Sequence, residues 1–268
     1  MMSEGSRVLP ALRLWFAVEV VFASFGLISV GLDPANSAEN FAWSVQPPVT
    51  ASIIGGFYFA IAPILILGIF AKTWESLRVV VIPALVFTAM LLIATWLHWA
   101  NFSHGTPAFW LWYVSYLTPP FAFAGLYFLQ MRRQVPVATH DPMSFGFRAA
   151  LIVLGLIITA EGLYTFVYPA HFMDPQAFVI TPLTARTLAG WITCVGLMLL
   201  FAAAEGAFER TRIAAPFLVL PQPCIWWQLA RFPDEVDWTH PRLLIMAAVL
   251  LICSLVGLRM IRGLRLRN

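Results

Sequence analysis

The sequence predicts an all-α polytopic membrane protein, with eight transmembrane helices forming two parallel four-helix repeats. Three observations predict it. The chain of 268 residues is 60% hydrophobic and only 11% charged, with a mean hydropathy of +0.82. A soluble domain carries roughly 25% charged residues, so lipid rather than water is the solvent this composition suits. Its apolar residues gather in continuous runs rather than alternating, which points to helices and not to barrel strands. Finally, the chain repeats itself. Pro48, Thr50, Ala51, Gly56, Glu75, Arg78 and Pro107 recur as Pro182, Thr184, Ala185, Gly190, Glu209, Arg212 and Pro241, at one constant offset (182 − 48 = 134).

Runs of about 20 apolar residues, long enough to cross a bilayer as helix, place the spans at Ala11–Gly31, Pro48–Phe70, Arg78–His98, Pro107–Gln130, Phe147–Tyr168, Pro182–Ala204, Arg212–Arg231 and Pro241–Arg262. Glu19 interrupts the first run, which reads as an uncleaved helix rather than a signal peptide. Spans two, four, six and eight each begin with proline (Pro48, Pro107, Pro182, Pro241), which suits a first helical turn because its missing N–H has no partner there. Thr106 and Thr181 precede two of these prolines in N-cap position. Spans four and seven carry internal prolines, Pro119-Pro120 and Pro216, Pro221 and Pro223, so neither is expected to be a regular helix. The domain division that follows is a first repeat over 1–130, a linker over 131–146 and a second repeat over 147–268.

Charge sets the expected orientation. With the N-terminus inside, the inner segments hold Arg7, Arg13, Lys72, Arg78, Arg132, Arg133, Arg148, Arg210, Arg212, Arg259, Arg262, Arg265 and Arg267, whereas the outer ones hold only Arg186, Arg231 and Arg242. The positive-inside rule therefore places both termini in the cytoplasm. Four spans per repeat is an even number, so both halves enter the membrane in the same direction, about a pseudo-two-fold axis along the membrane normal. The short inner turns each carry Glu-x-x-Arg (Glu75/Arg78 and Glu209/Arg212), a spacing suited to a local ion pair. Small residues four apart, Ala51/Gly55 and Ala185/Ala189, predict close helix packing by spans two and six, either within each half or across the axis.

Candidate functional residues are those that pay to be in a membrane. Glu161 in span five and Glu19 in span one are intramembrane acids. Glu161 is expected to meet Arg186 or Arg231, and Glu19 to sit nearer the inner face and snorkel. They are not repeat equivalents, since 19 + 134 falls on Val153. Gln222 and Gln228 add polar groups to the proline-broken span seven, and broken helices often mark binding sites. A polar cavity formed by Glu161, Arg186, Gln222, Gln228 and Arg231, with Glu19 apart, is the expected ligand site.

Metal chemistry has weak support. His98, His104, His171 and His240 map to the outer side beside Asp33, Glu39, Asp174, Asp234, Glu235 and Asp237. Of these, His98, His104 and His240 are the candidate ligands, yet no His-x-x-x-His pair or other strong ligand spacing occurs. No histidine lies deep in a span, which argues against a bis-histidine haem. Cys194, Cys224 and Cys253 all lie in apolar runs and read as small buried hydrophobes. Tryptophan concentrates toward the outer side, either as an interfacial belt or around a bound lipid, quinone or pigment. No Walker loop, dinucleotide fingerprint, nucleophile elbow or H-E-x-x-H is present.

The stretches Pro47-Pro48-Val49-Thr50-Ala51 to Gly56 and Pro182-Leu183-Thr184-Ala185-Arg186 to Gly190, with Ala94-Thr95-Trp96-Leu97-His98-Trp99, resemble uncharacterised bacterial multi-pass membrane proteins built from two four-helix halves. That resemblance covers most of the chain. It implies the bacterial cytoplasmic membrane and the same architecture, and no activity. The functional expectation is non-enzymatic: an accessory subunit of a larger membrane complex, or a transport-type protein binding a small molecule or lipid. The competing class is an intramembrane enzyme acting on a lipid-like substrate at the outer leaflet, with Glu161, His98, His104, Asp234 and His240 as its groups. Membrane lipid is the expected partner; nucleic acid is not.

Overall fold

The computed structural model describes residues 6–135, 138–173 and 177–265, with side chains to 262. The described residues are helical, with isolated bridges and no strands. Ten helices carry the fold: α1 (Pro10–Gly26), α2 (Pro48–Ile69), α3 (Trp74–Leu97), α4 (Pro107–Leu117), α5 (Pro119–Met131), α6 (Phe145–Val167), α7 (Pro182–Glu205), α8 (Ala215–Val219), α9 (Pro221–Ala230) and α10 (Pro241–Arg265). Short turns of helix fill the loops.

Six helices are long and apolar enough to cross a membrane: α1 with its extension, α2, α3, α6, α7 and α10. They mark the chain as an integral membrane protein. The fourth and seventh spans expected from the sequence are not single helices. Each is a pair, α4–α5 and α8–α9, meeting at Thr118 and Leu220 just before Pro119 and Pro221. Proline has no N–H for the preceding turn and clashes with its carbonyls, so each helix restarts with proline in its first turn. Pro63 and Pro83 sit inside α2 and α3 without ending them.

The broken pairs nevertheless reach between the two ends of the bundle. Trp112 of α4 donates to Thr95, near the end of α3, at 3.0 Å. At the far end of α5, Gln130 accepts from Leu9 N at 2.8 Å and donates to Arg7 O at 3.0 Å, just before α1 begins. Likewise Ala215 O of α8 lies against Gly257 of α10. At the other end of that pair, Gln228 of α9 donates to Gly31 O at 3.0 Å, where α1 has finished.

Close packing follows small residues. A Cβ on Gly55 of α2 would lie 2.2 Å from the Cα of Gly31, so the two backbones touch. Between α6 and α7 the same role falls to Gly155, Gly162 and Gly196, whose missing Cβ atoms admit Leu200, Thr193 and Thr159. Gly56 instead faces Ile225 of α9, and Gly190 faces Phe87 and Leu91 of α3. Where α2 approaches α7 they meet through aromatic rings, Phe57 stacked on Trp191 with centroids 5.3 Å apart. Elsewhere α3 packs on α7, and α9 packs on α2.

The expected local pairs Glu75/Arg78 and Glu209/Arg212 do not form. Glu75 instead accepts from Ser6 N at 3.3 Å, and Glu209 accepts from His140 N and Asp141 N at 2.8 and 3.1 Å. Each carboxylate serves the backbone of a segment that leads into a long helix, a better use than a solvated ion pair worth a few tenths of a kcal/mol. Arg78 pairs with Glu205 at the end of α7, which Arg210 also reaches at 3.0 Å. The expected N-caps do form: Thr106 Oγ1 accepts from Phe109 N and Thr181 Oγ1 from Thr184 N, at 3.1 and 3.3 Å.

Candidate functional site

The sequence expected Glu161, Arg186, Gln222, Gln228 and Arg231 around one cavity. The structure separates them. Glu161 is 44% exposed and is met by His171 at 3.2 Å and its own helix neighbour Thr165 at 3.4 Å. Arg186 faces the other way: it donates to Phe166 O at 3.0 Å and to His98 Nε2 at 2.6 Å. Burial, with the Arg186 charge second, holds the His98 imidazole below its ordinary value, so it receives that bond as the neutral ring.

Arg231 and Gln228 do come together, but as a helix cap. α1 continues as a stretch of π-helix, Leu27–Leu32. Arg231 donates to Gly31 O and to Leu32 O at 2.8 Å, and to Gln228 Oε1 at 2.6 Å. Carbonyls orphaned at a helix C-terminus attract cations, so this arginine is spent on structure. Gln222, at the start of α9, stands apart with a buried, unpartnered Oε1.

The remaining candidate, Glu19, lies where the sequence did not expect it. It does not snorkel. It sits nine residues into α1, about 14 Å along the helix, and is 8% exposed. Its Oε1 has no hydrogen-bond partner. It lines an internal cavity of about 60 Å³, enough for roughly two waters.

The cavity draws on several helices. Glu19, Phe22 and Ala23 come from α1, Tyr58 from α2, Phe87 and Thr88 from α3, Ser115 and Tyr116 from α4, and Trp191 and Cys194 from α7. Tyr58 and Tyr116 share a hydroxyl–hydroxyl bond of 2.6 Å. Gly26 makes room for that arrangement, because a Cβ there would sit 2.3 Å from the Tyr58 ring. Thr88 and Ser115 donate to carbonyls one turn back in their own helices, Ala84 O at 2.9 Å and Leu111 O at 2.6 Å. Their hydroxyl protons are committed, and what they present to the cavity is acceptor lone pairs. Trp191 is packed by Phe57, Tyr58, Phe87 and Phe217, and its Nε1 is buried without a partner. Among the described residues no Lys, Arg or His lines the cavity.

Sequence reasoning missed Tyr58, Thr88, Ser115, Tyr116 and Trp191. A signal existed: each is a polar or polar-tipped side chain near the middle of an apolar run. Only packing brings the five together.

The histidines do not converge. His104 Nε2 meets Trp99 O at 2.8 Å, and His240 Nδ1 accepts from Arg242 N at 3.2 Å. Among the described residues no group of three or more His, Cys, Asp or Glu side chains is placed to hold a metal ion. Asp174 lies outside the described residues. None of Glu161, His98, His104, Asp234 and His240 lines the Glu19 cavity. Of the tryptophans, Trp96, Trp99, Trp110, Trp227 and Trp238 are exposed as an interfacial belt requires, while Trp43 and Trp112 are buried among Phe41, Phe102 and Tyr116.

No family model, curated protein or solved structure matches the chain.

Proposed function

We propose that this protein is a transport-type or solute-binding membrane protein of eight spans, in two parallel four-helix halves, and that the Glu19 cavity binds a small polar molecule. One observation carries the functional part. A carboxyl oxygen that is buried and unpartnered at mid-helix depth costs several kcal/mol, and a chain that keeps one in a cavity has a use for it.

Several contacts support the architecture. The two broken helix pairs run between opposite ends of the bundle. The helix contacts are reciprocal: α3 of the first half lies on α7 of the second, and α9 of the second lies on α2 of the first. Glu75 and Glu209, 134 residues apart (209 − 75), hold Ser6 N and His140 N, also 134 apart (140 − 6). The basic end of the bundle, carrying both termini, is then the cytoplasmic side.

A role as accessory subunit would need a surface that lipid does not already suit. The exposed side chains of α6 and α10 (Val153, Ile157, Leu244, Ile245, Leu255) are what lipid-facing helices present. An enzymatic role would need two titratable groups on one substrate atom; His98, His104 and His240 each meet a different partner, and Glu161 is paired with His171.

The test is a thermal-shift screen of small solutes (C1–C3 amines, alcohols, amides and carboxylates) on the detergent-purified protein. Ala23→Leu, which fills the cavity from α1, is the control. At least one solute class should raise the melting temperature of the wild type and leave Ala23→Leu unmoved. Equal shifts in both proteins, or none in either, would remove the cavity from the account.

A further inference from the structure

Resting on that reading of the cavity, we infer that its ligand is a small protonated amine: ammonium, methylammonium or an amine of that size. The argument is charge, hydrogen-bond complementarity and volume together.

Charge comes first. Glu19 is the only ionisable carboxyl on the cavity wall, and no basic side chain faces it there. Glu19 is 8% exposed and its Oε1 has no hydrogen-bond partner, with the Trp15 indole, itself unpartnered, one turn back on α1. A carboxyl group held in a low-dielectric interior is either protonated or paired with a cation, and among the described residues the cavity wall supplies no cation. A bound cation would complete the pair.

The hydrogen-bonding pattern selects the kind of cation. Thr88 and Ser115 have given their protons to helix carbonyls and can only accept. The Tyr58–Tyr116 pair consumes one of its two protons internally and leaves oxygen lone pairs free. An ammonium group is all donor and no acceptor, and it meets the Glu19 carboxylate, these hydroxyls and the phenol oxygens in kind. Much of the rest of the wall is aromatic, with Phe22, Tyr58, Phe87, Tyr116 and Trp191 beside aliphatic Ile61, Leu65 and Val80. Ring faces attract an organic cation, and the attraction grows once water is excluded. A bare alkali ion would compete for the same oxygens of Glu19, Thr88, Ser115 and the phenols, and the ring faces are what favour an organic cation over it. Trp191 Nε1, the unpartnered indole donor, remains for a water or for the carboxylate itself.

Volume sets the size. About 60 Å³ corresponds to roughly two water-sized atoms. Methylammonium, with two heavy atoms, fits; tetramethylammonium, with five, does not.

Calorimetric titration of the detergent-purified full chain with methylammonium chloride tests this. Sodium chloride at matched ionic strength, tetramethylammonium chloride and methanol are the comparison probes. Methylammonium should bind, sodium and tetramethylammonium should not, and Glu19→Gln should weaken methylammonium at least tenfold while keeping the wild-type melting profile. If Glu19→Gln does not fold, Thr88→Val removes one acceptor at constant shape and should weaken binding several-fold. Unchanged affinity in the folded variant would place the amine elsewhere and overturn the inference. Sodium binding as strong as methylammonium would overturn the amine class. A wild type that ignores methylammonium but is stabilised by a neutral solute would refute the cation and leave the cavity reading standing. A wild type that responds to no solute would refute both.

Discussion

At the residue scale, the polar side chains of this protein divide into those with a partner and those without. Arg186, Arg231, Glu205 and Glu75 all find fixed partners and hold helix ends together. Glu19, Gln134 and Gln222 each keep a buried unpartnered oxygen, and so does Glu75 at its second oxygen; of these only Glu19 faces the cavity. The sequence ranked these the other way, favouring Glu161 and its arginines. Side-chain depth along a helix is readable from sequence, but which face turns inward depends on neighbours, and α6 turns Glu161 outward. His98 gives a prediction at this scale. Its imidazole is held below the ordinary value near 6.5, chiefly by burial. The folded state therefore prefers the neutral ring more than the unfolded chain does. The Arg186–His98 contact contributes fully above that ordinary value and is lost as the pH falls through it toward the lowered one. Melting temperature in detergent should fall between pH 7 and pH 5, and the fall should be smaller in His98→Gln. Identical pH profiles would show that His98 carries none of it.

At the element scale, the sequence announced where helices would break and was right about the physical cause. Pro119 and Pro221 each start a new helix, and Thr106 and Thr181 cap the helices they precede. It also marked Gly55 as a close-packing residue, without saying against what. The partner is Gly31, in the π-helical end of α1, and nothing in a local pattern forecasts a π-turn. Two glycine substitutions separate packing from propensity. Gly55→Ala drives a Cβ to within 2.2 Å of the Gly31 backbone, which cannot give way as a flexible side chain does. It should cost about 2–4 kcal/mol, an overpacking penalty at a backbone contact. Gly125→Ala, in α5, meets nothing within 4 Å and should be neutral or gain up to about 1 kcal/mol from helix propensity. Thermal unfolding of the two variants measures both; equal effects would mean that the α1–α2 contact is not close.

At the scale of the whole molecule, composition made membrane residence legible, and the constant offset suggested two halves. The mid-depth cavity was not legible, because it is built from α1, α2, α3, α4, α5 and α7, helices far apart in the sequence. Its existence depends on α4–α5 crossing the membrane in spite of its break, so that Ser115 and Tyr116 stand at mid-depth beside Glu19. That crossing also separates an eight-span protein from one in which only the six unbroken helices span. Single cysteines at Asn101 and Ser144, in a background with Cys194, Cys224 and Cys253 replaced by alanine, decide between them when labelled with a membrane-impermeant thiol reagent on intact cells. Asn101 follows α3 and Ser144 precedes α6, with only α4–α5 between them. The eight-span account predicts that Cys at 101 is labelled from outside and that Cys at 144 is labelled only after the cells are opened. Labelling of both positions from the same side would mean that α4–α5 does not cross, and would contradict the two-half architecture on which the cavity stands.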